Sequence, residues 1–83
     1  MDISDWRKRI DGIDEKLVEL LNQRARAAAA IGKLKRAASE PVYQPQRENE
    51  VLERVQKLNA GPLSNQQLRR LFECIVDEAR KIE

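Results

Sequence analysis

Residues 4–38 read SDWRKRIDGIDEKLVELLNQRARAAAAIGKLKRAA, one continuous helical pattern. Ile10, Ile13, Leu17, Leu20, Ala27, Ala28 and Ile31 fall on a single apolar seam along it. The same seam carries Arg24 and Lys35. Their separation is close to three helical turns, so both point the same way, about 16 Å apart. A cation on a buried seam is costly unless it is paired. Either side chain alone is explained by a stem lying on the seam with its head in water. Two on one face weaken that explanation and point to an anion that the helix does not supply.

Ser4 is the expected N-cap of this helix, with Asp5 as a first-turn acid. Gly12 and Gly32 each cost about 1 kcal/mol against alanine. Neither is flanked by turn residues, so the helix is read as whole to about Ala38. Ala27 to Ala30 and Gly32 make a small-residue surface on which a helix or a ligand comes close to the backbone.

Ser39-Glu40-Pro41 is the first break, because proline disfavours helix at the residue before it. Tyr43 to Pro45 is a loop, and Pro45 suits the first turn of a second helix. That helix runs to about Leu58 and is expected to bury Val51, Leu52, Val55 and Leu58. Asn59-Ala60-Gly61-Pro62 is a stop signal. Ser64 and Gln67 form a capping box for a third helix, whose apolar face is Leu68, Leu71, Phe72, Ile75, Val76, Ala79 and Ile82. The fold class is all-α, with one long, one short and one medium helix. The long helix spans roughly 50 Å, whereas a compact chain of this size is roughly 30 Å across. Its far end needs a partner, and a second copy is the simplest one. The expectation is an antiparallel or intertwined homodimer.

Composition narrows the function. The chain has 83 residues, enough for one small domain over 1–83. Charged residues make up 36% and aromatics 4%, which suits helices and not a β-sandwich. Sixteen basic residues face fourteen acidic ones, too even a balance for a nucleic-acid binder. Asp14, Glu15 and Glu19 also punctuate the basic helix. No block of like charge grips a membrane surface, and no apolar run is long enough to span one. The single cysteine, Cys74, and the lack of histidine argue against a zinc site and a Ser-His or Cys-His pair. These features fit a reducing cytoplasm and argue against a structural zinc site, a nucleic-acid binder and a membrane protein.

Several polar residues remain. Arg47 and Glu48 open the second helix. The helix dipole explains Glu48 but not Arg47. Glu83 continues the face of Phe72, Val76 and Ala79, yet at the end of the chain it reads as frayed and solvated. Arg7 reads as an exposed basic residue beside Lys8 and Arg9, and Trp6 as a packing residue. Tyr43 either covers a pocket or packs; Cys74 is a small hydrophobe. A helical dimer core presents Arg7, Arg24, Lys35 and Arg47 with few acids to neutralise them. A small dianion with two carboxylates suits such a set, because arginine forks match carboxylates.

The ordered pattern Trp6-Arg7-x-x-Ile10-Asp11-x-Ile13-Asp14, Leu17, Leu20-Leu21, Arg24, Ile31-Gly32-x-x-Lys35, Pro41-Val42-Tyr43-x-Pro45-x-Arg47-Glu48, Leu71-Phe72-x-x-Ile75 and Glu83 resembles the all-helical chorismate mutases. It covers nearly the whole chain. The resemblance implies three helices per protomer in an intertwined dimer, with each active site shared by both chains. It implies rearrangement of chorismate to prephenate, on the route to phenylalanine and tyrosine, without cofactor or metal. Arg24, with Arg7 from the other protomer, is then expected to hold the substrate carboxylates. Lys35 is expected to pair with a carboxylate and donate to the ether oxygen of the breaking bond. Arg47 is expected by the ring and side-chain anion, and Glu48 as acceptor for the ring hydroxyl. Glu83 takes the place of the second donor to the ether oxygen. An ionised carboxylate cannot donate, so the active form is expected to carry Glu83 protonated, burial favouring the neutral form. Gln44 departs from an acid found in some members near the ring hydroxyl, and Ala79 from a serine near a substrate carboxylate. Both a free-standing domain and a piece of a longer bifunctional chain satisfy the sequence. So does a non-catalytic dimerisation or regulatory domain, though it has no reason to keep cations on a seam.

Overall fold

The computed structural model describes residues 1–83 as three helices without strands. Helix α1 spans Ile3–Ala37, α2 Pro45–Leu58 and α3 Asn65–Ile82. Neither Gly12 nor Gly32 breaks α1. Its N-cap is Asp2, not Ser4. The Asp2 carboxylate accepts from the Asp5 amide at 2.9 Å, and Asp5 accepts from the Asp2 amide at 3.1 Å. Two orphan donors are satisfied at once, which a cap at Ser4 does not achieve.

At the other end of α1, the Glu40 amide donates to the Lys35 carbonyl and the Ser39 amide to the Arg36 carbonyl. This is a Schellman closure, with Ser39 in the left-handed region at φ 56°. Pro45 opens α2 as expected. Asn59 organises the next turn: its side chain donates to the Leu63 carbonyl and to Asn65, and accepts from the Gly61 amide. Ser64 and Gln67 form the expected capping box of α3.

Helix α3 packs on both α1 and α2, whereas α1 and α2 do not pack on each other. The core is thin. Only Ala28, Gly32, Leu52 and Val76 are buried. Leu58, expected inside, is 69% exposed. Leu71 and Ile82 on the α3 face are likewise half-exposed. So are Ile10, Ile13, Leu17, Leu20 and Ile31 along the α1 seam. The molecule measures 54 × 23 × 16 Å with a radius of gyration of 15.7 Å, against about 12 Å for a compact chain of this length. Helix α1 sets that long dimension, and its N-terminal part lies beyond the other two helices.

Candidate functional site

The C-terminal part of α1, the start of α2 and the end of α3 enclose a cleft of about 390 Å³. Arg24 and Lys35 enter it from α1, Gln44 from the loop, Arg47 and Glu48 from α2, and Ala79 and Glu83 from α3. Residues separated by almost sixty positions in sequence thus line one cavity. Its apolar wall includes Ala27, Ala28, Ile31, Val51 and Val76. Arg7 is absent from it. Arg7 lies on the same helix as Arg24, about 25 Å away along the axis, and is exposed to solvent.

Lys35 is the best-held cation. Its ammonium donates to Glu83 Oε1 at 2.6 Å and to the Val42 carbonyl at 2.9 Å. Both side chains of the pair are largely buried, 13% and 14% exposed. The expectation of a frayed, solvated Glu83 is therefore wrong. Arg36 also donates to the Glu83 backbone oxygen. Gly32 makes the approach possible: a Cβ there would lie 2.7 Å from that oxygen and 2.8 Å from Glu83 Cα. The expectation of cations with few neutralising acids needs the same correction, since Lys35 already has a carboxylate partner. Arg47 meets Glu50 only at 3.4 Å with both side chains in solvent, a pair worth little.

Glu48 has a partner that no local pattern announces. Arg80 Nε donates to its Oε2 at 2.9 Å and Arg80 Nη2 to its Oε1 at 2.5 Å. Arg80 also reaches Asp77 at 3.2 Å and lies 4.8 Å over the Tyr43 ring. The hydrogen bonds to Glu48, with smaller help from the charges of Glu48 and Asp77, raise the guanidinium above its ordinary pKa despite some desolvation. Thirty-two residues separate Arg80 from Glu48, so only the packing of α3 on α2 joins them. Tyr43 is accounted for as a surface beneath Arg80. Trp6 is half-exposed, with Arg9 stacked 5.1 Å above its ring.

Chemically, the cleft offers three cations and two carboxylates on an apolar floor. It contains no nucleophile beside a base. Nowhere in the molecule do three or more His, Cys, Asp or Glu side chains converge as a metal-binding group. No helix is long and apolar enough to cross a membrane. Such a set of donors is suited to anionic groups and to developing negative charge.

Residues 6–83 match the family described as chorismate mutase type II. The chain is 46% identical over 77 residues to the bifunctional chorismate mutase/prephenate dehydratase of Neisseria gonorrhoeae, covering 93% of this chain and 21% of that protein. It spans about a fifth of the length of such bifunctional relatives. Among solved structures, form II of the chorismate mutase from Thermus thermophilus superposes with a TM-score of 0.93 at 32% identity. That match covers 95% of this chain and 90% of the other. The Helicobacter pylori chorismate mutase in complex with prephenate gives 0.88 at 29% identity, covering 96% and 87%.

Proposed function

The chain belongs to the chorismate mutase type II family, and from that membership we propose that its cleft rearranges chorismate to prephenate in aromatic amino acid biosynthesis. One observation carries the proposal. Arg24, Lys35 and Arg47, which lie on separate turns of two helices, converge on one cavity with Glu48 and Glu83.

The reaction breaks a C–O bond and forms a C–C bond within one molecule, in one step. It needs no nucleophile and no group outside the polypeptide. The protein selects a compact, chair-like conformer of a flexible dianion and stabilises the negative charge that grows on the ether oxygen. Arg24 and Arg47 grip the carboxylates, and Lys35 donates to the ether oxygen. Glu48 accepts from the ring hydroxyl, and Glu83 stands at the place of the second donor. Ala79 and Gln44 shape the wall at either end. The half-exposed α1 seam supports a homodimer in which Arg7 of a second copy completes the cation set. The free thiol of Cys74 suits a reducing cytoplasm.

The test is incubation of the purified chain with chorismate, following loss of its absorbance. Lys35→Ala is expected to lower turnover by about a hundredfold or more, the usual loss on removing such a donor. No turnover by a folded wild-type chain overturns the proposal in favour of a non-catalytic dimerisation or regulatory domain.

A further inference from the structure

We infer that Arg80 is a positioning residue that holds the Glu48 carboxylate at the edge of the cleft and separated from the cations that bind substrate. The inference rests on the mutase reading above and deepens it. Glu48 lines the cleft but Arg80 does not. The guanidinium lies on the outer side of α3, in a groove it shares with Val42, Cys74, Asp77 and Lys81. It acts on substrate only through the carboxylate it holds.

The geometry fits that task. Two bonds of 2.9 and 2.5 Å fix both oxygens of Glu48 in one plane. A carboxylate oxygen accepts more than one hydrogen bond, so each keeps acceptor capacity toward the cleft. Asp77 at 3.2 Å and the Tyr43 ring at 4.8 Å hold the guanidinium from two further sides. The clamp thereby ties the loop, α2 and α3 together around one carboxylate. Glu48 shares its cavity with Arg24, Lys35 and Arg47. Freed from Arg80, it would have those cations to pair with, and each pairing would remove a substrate anchor. Gln44 gives the same end of the cleft no second carboxylate, and its amide is turned to the Pro41 carbonyl at 3.2 Å. The hydroxyl acceptor therefore depends on Glu48 and on what orients it.

The experiment is a double-mutant cycle with chorismate on the full chain, using Arg80→Leu, Glu48→Ala and the pair, with thermal unfolding recorded for each. Arg80→Leu is expected to lower kcat/KM about ten- to hundredfold, the effect of losing hydrogen bonds to a charged group. The loss falls mainly on KM, because the hydroxyl contact is made in both ground and transition states. Arg80→Lys recovers part of it as a point charge without the fork. In the Glu48→Ala background, Arg80→Leu is expected to cause no further loss. Unchanged kinetics in Arg80→Leu, or a loss that multiplies fully with Glu48→Ala, overturns the inference while the mutase reading stands. If Arg80→Leu does not fold, Arg80→Lys is carried through the same cycle, with a smaller loss that must again vanish without Glu48. An inactive wild-type chain overturns the mutase reading and this inference with it.

Discussion

Gly32 marks the place where the end of α3 comes closest to α1, and the consequences are local and large. A methyl group there would meet the Glu83 backbone, 2.7 Å from its oxygen and 2.8 Å from its Cα, so backbone has to move. Gly32→Ala gains about 1 kcal/mol of helix propensity, but the clash is with backbone, which does not yield as a flexible side chain does. Glu83 is pushed off Lys35. The expected result is a lower thermal midpoint together with kcat lower by about ten- to hundredfold, since an ångström of misplacement suffices for that. An unchanged kcat would show that the Glu83 position is immaterial. The charge of Glu83 is the second matter at this residue. Glu83 sits 2.6 Å from the Lys35 ammonium as an ion pair. Glu83→Gln keeps the shape and replaces one carboxylate oxygen with an N–H donor, as the place of a second donor to the ether oxygen requires. Its kcat for chorismate should equal or exceed that of the parent. A kcat lower by about tenfold or more contradicts this role. Sequence spacing located Arg24 and Lys35 because three helical turns bring them into line. Chain position alone misjudged Glu83, since the contacts that order it come from Lys35 and Arg36, almost fifty residues earlier. Arg80 was invisible for the same reason.

Among the elements, helix ends were the most legible feature where both partners lie within one turn. Ser64 and Gln67 satisfy each other's backbone amides as their spacing requires. The start of α1 was misplaced by two residues because Ser4 and Asp2 are both good caps. Asp2 wins through its reciprocal bond with Asp5. Burial along α2 was less legible. Leu58 keeps the helical period of Val51 and Leu52 yet is 69% exposed, because periodicity does not say which turns of a face a neighbour covers. The Schellman closure of α1 yields a quantitative expectation. Ser39 adopts φ 56°, which costs a residue with a Cβ about 1–2 kcal/mol. Glycine removes that cost but adds about 0.4–1 kcal/mol of entropy to the unfolded chain. Ser39→Gly should thus stabilise the protein by about 0.5–1 kcal/mol, seen as a higher denaturation midpoint at unchanged m-value. A lower midpoint would mean that the serine hydroxyl contributes more than its backbone conformation costs.

At the scale of the molecule, four buried residues cannot offset the conformational entropy of ordering 83, which runs at about 1–2 kcal/mol per residue for the backbone alone. The missing burial is on the α1 seam, where Ile10, Ile13, Leu17 and Leu20 are 50–58% exposed. A second copy laid along that seam buries the stripe and brings an Arg7 from outside, which the protomer's own helix geometry holds about 25 Å from its cleft. The proposed dimer is therefore also a proposal about which chain supplies which charge, and complementation tests both. Arg7→Ala and Lys35→Ala chains should each be nearly inactive alone. If a site takes Arg7 from one protomer and Lys35 from the other, a hybrid dimer carries both defects in one site and none in the second. Random pairing makes about half of the dimers hybrids, so unfolding the two variants together and refolding them should restore about a quarter of wild-type activity. Size-exclusion chromatography of the refolded mixture confirms that chains of dimer size were assayed. Recovered activity near a quarter requires a shared site, because no single mutant chain holds both cations. Refolded dimers without activity would mean that each site draws Arg7 and Lys35 from one chain, and an Arg7→Ala chain active by itself would place Arg7 outside the site and leave the α1 seam as a purely structural contact.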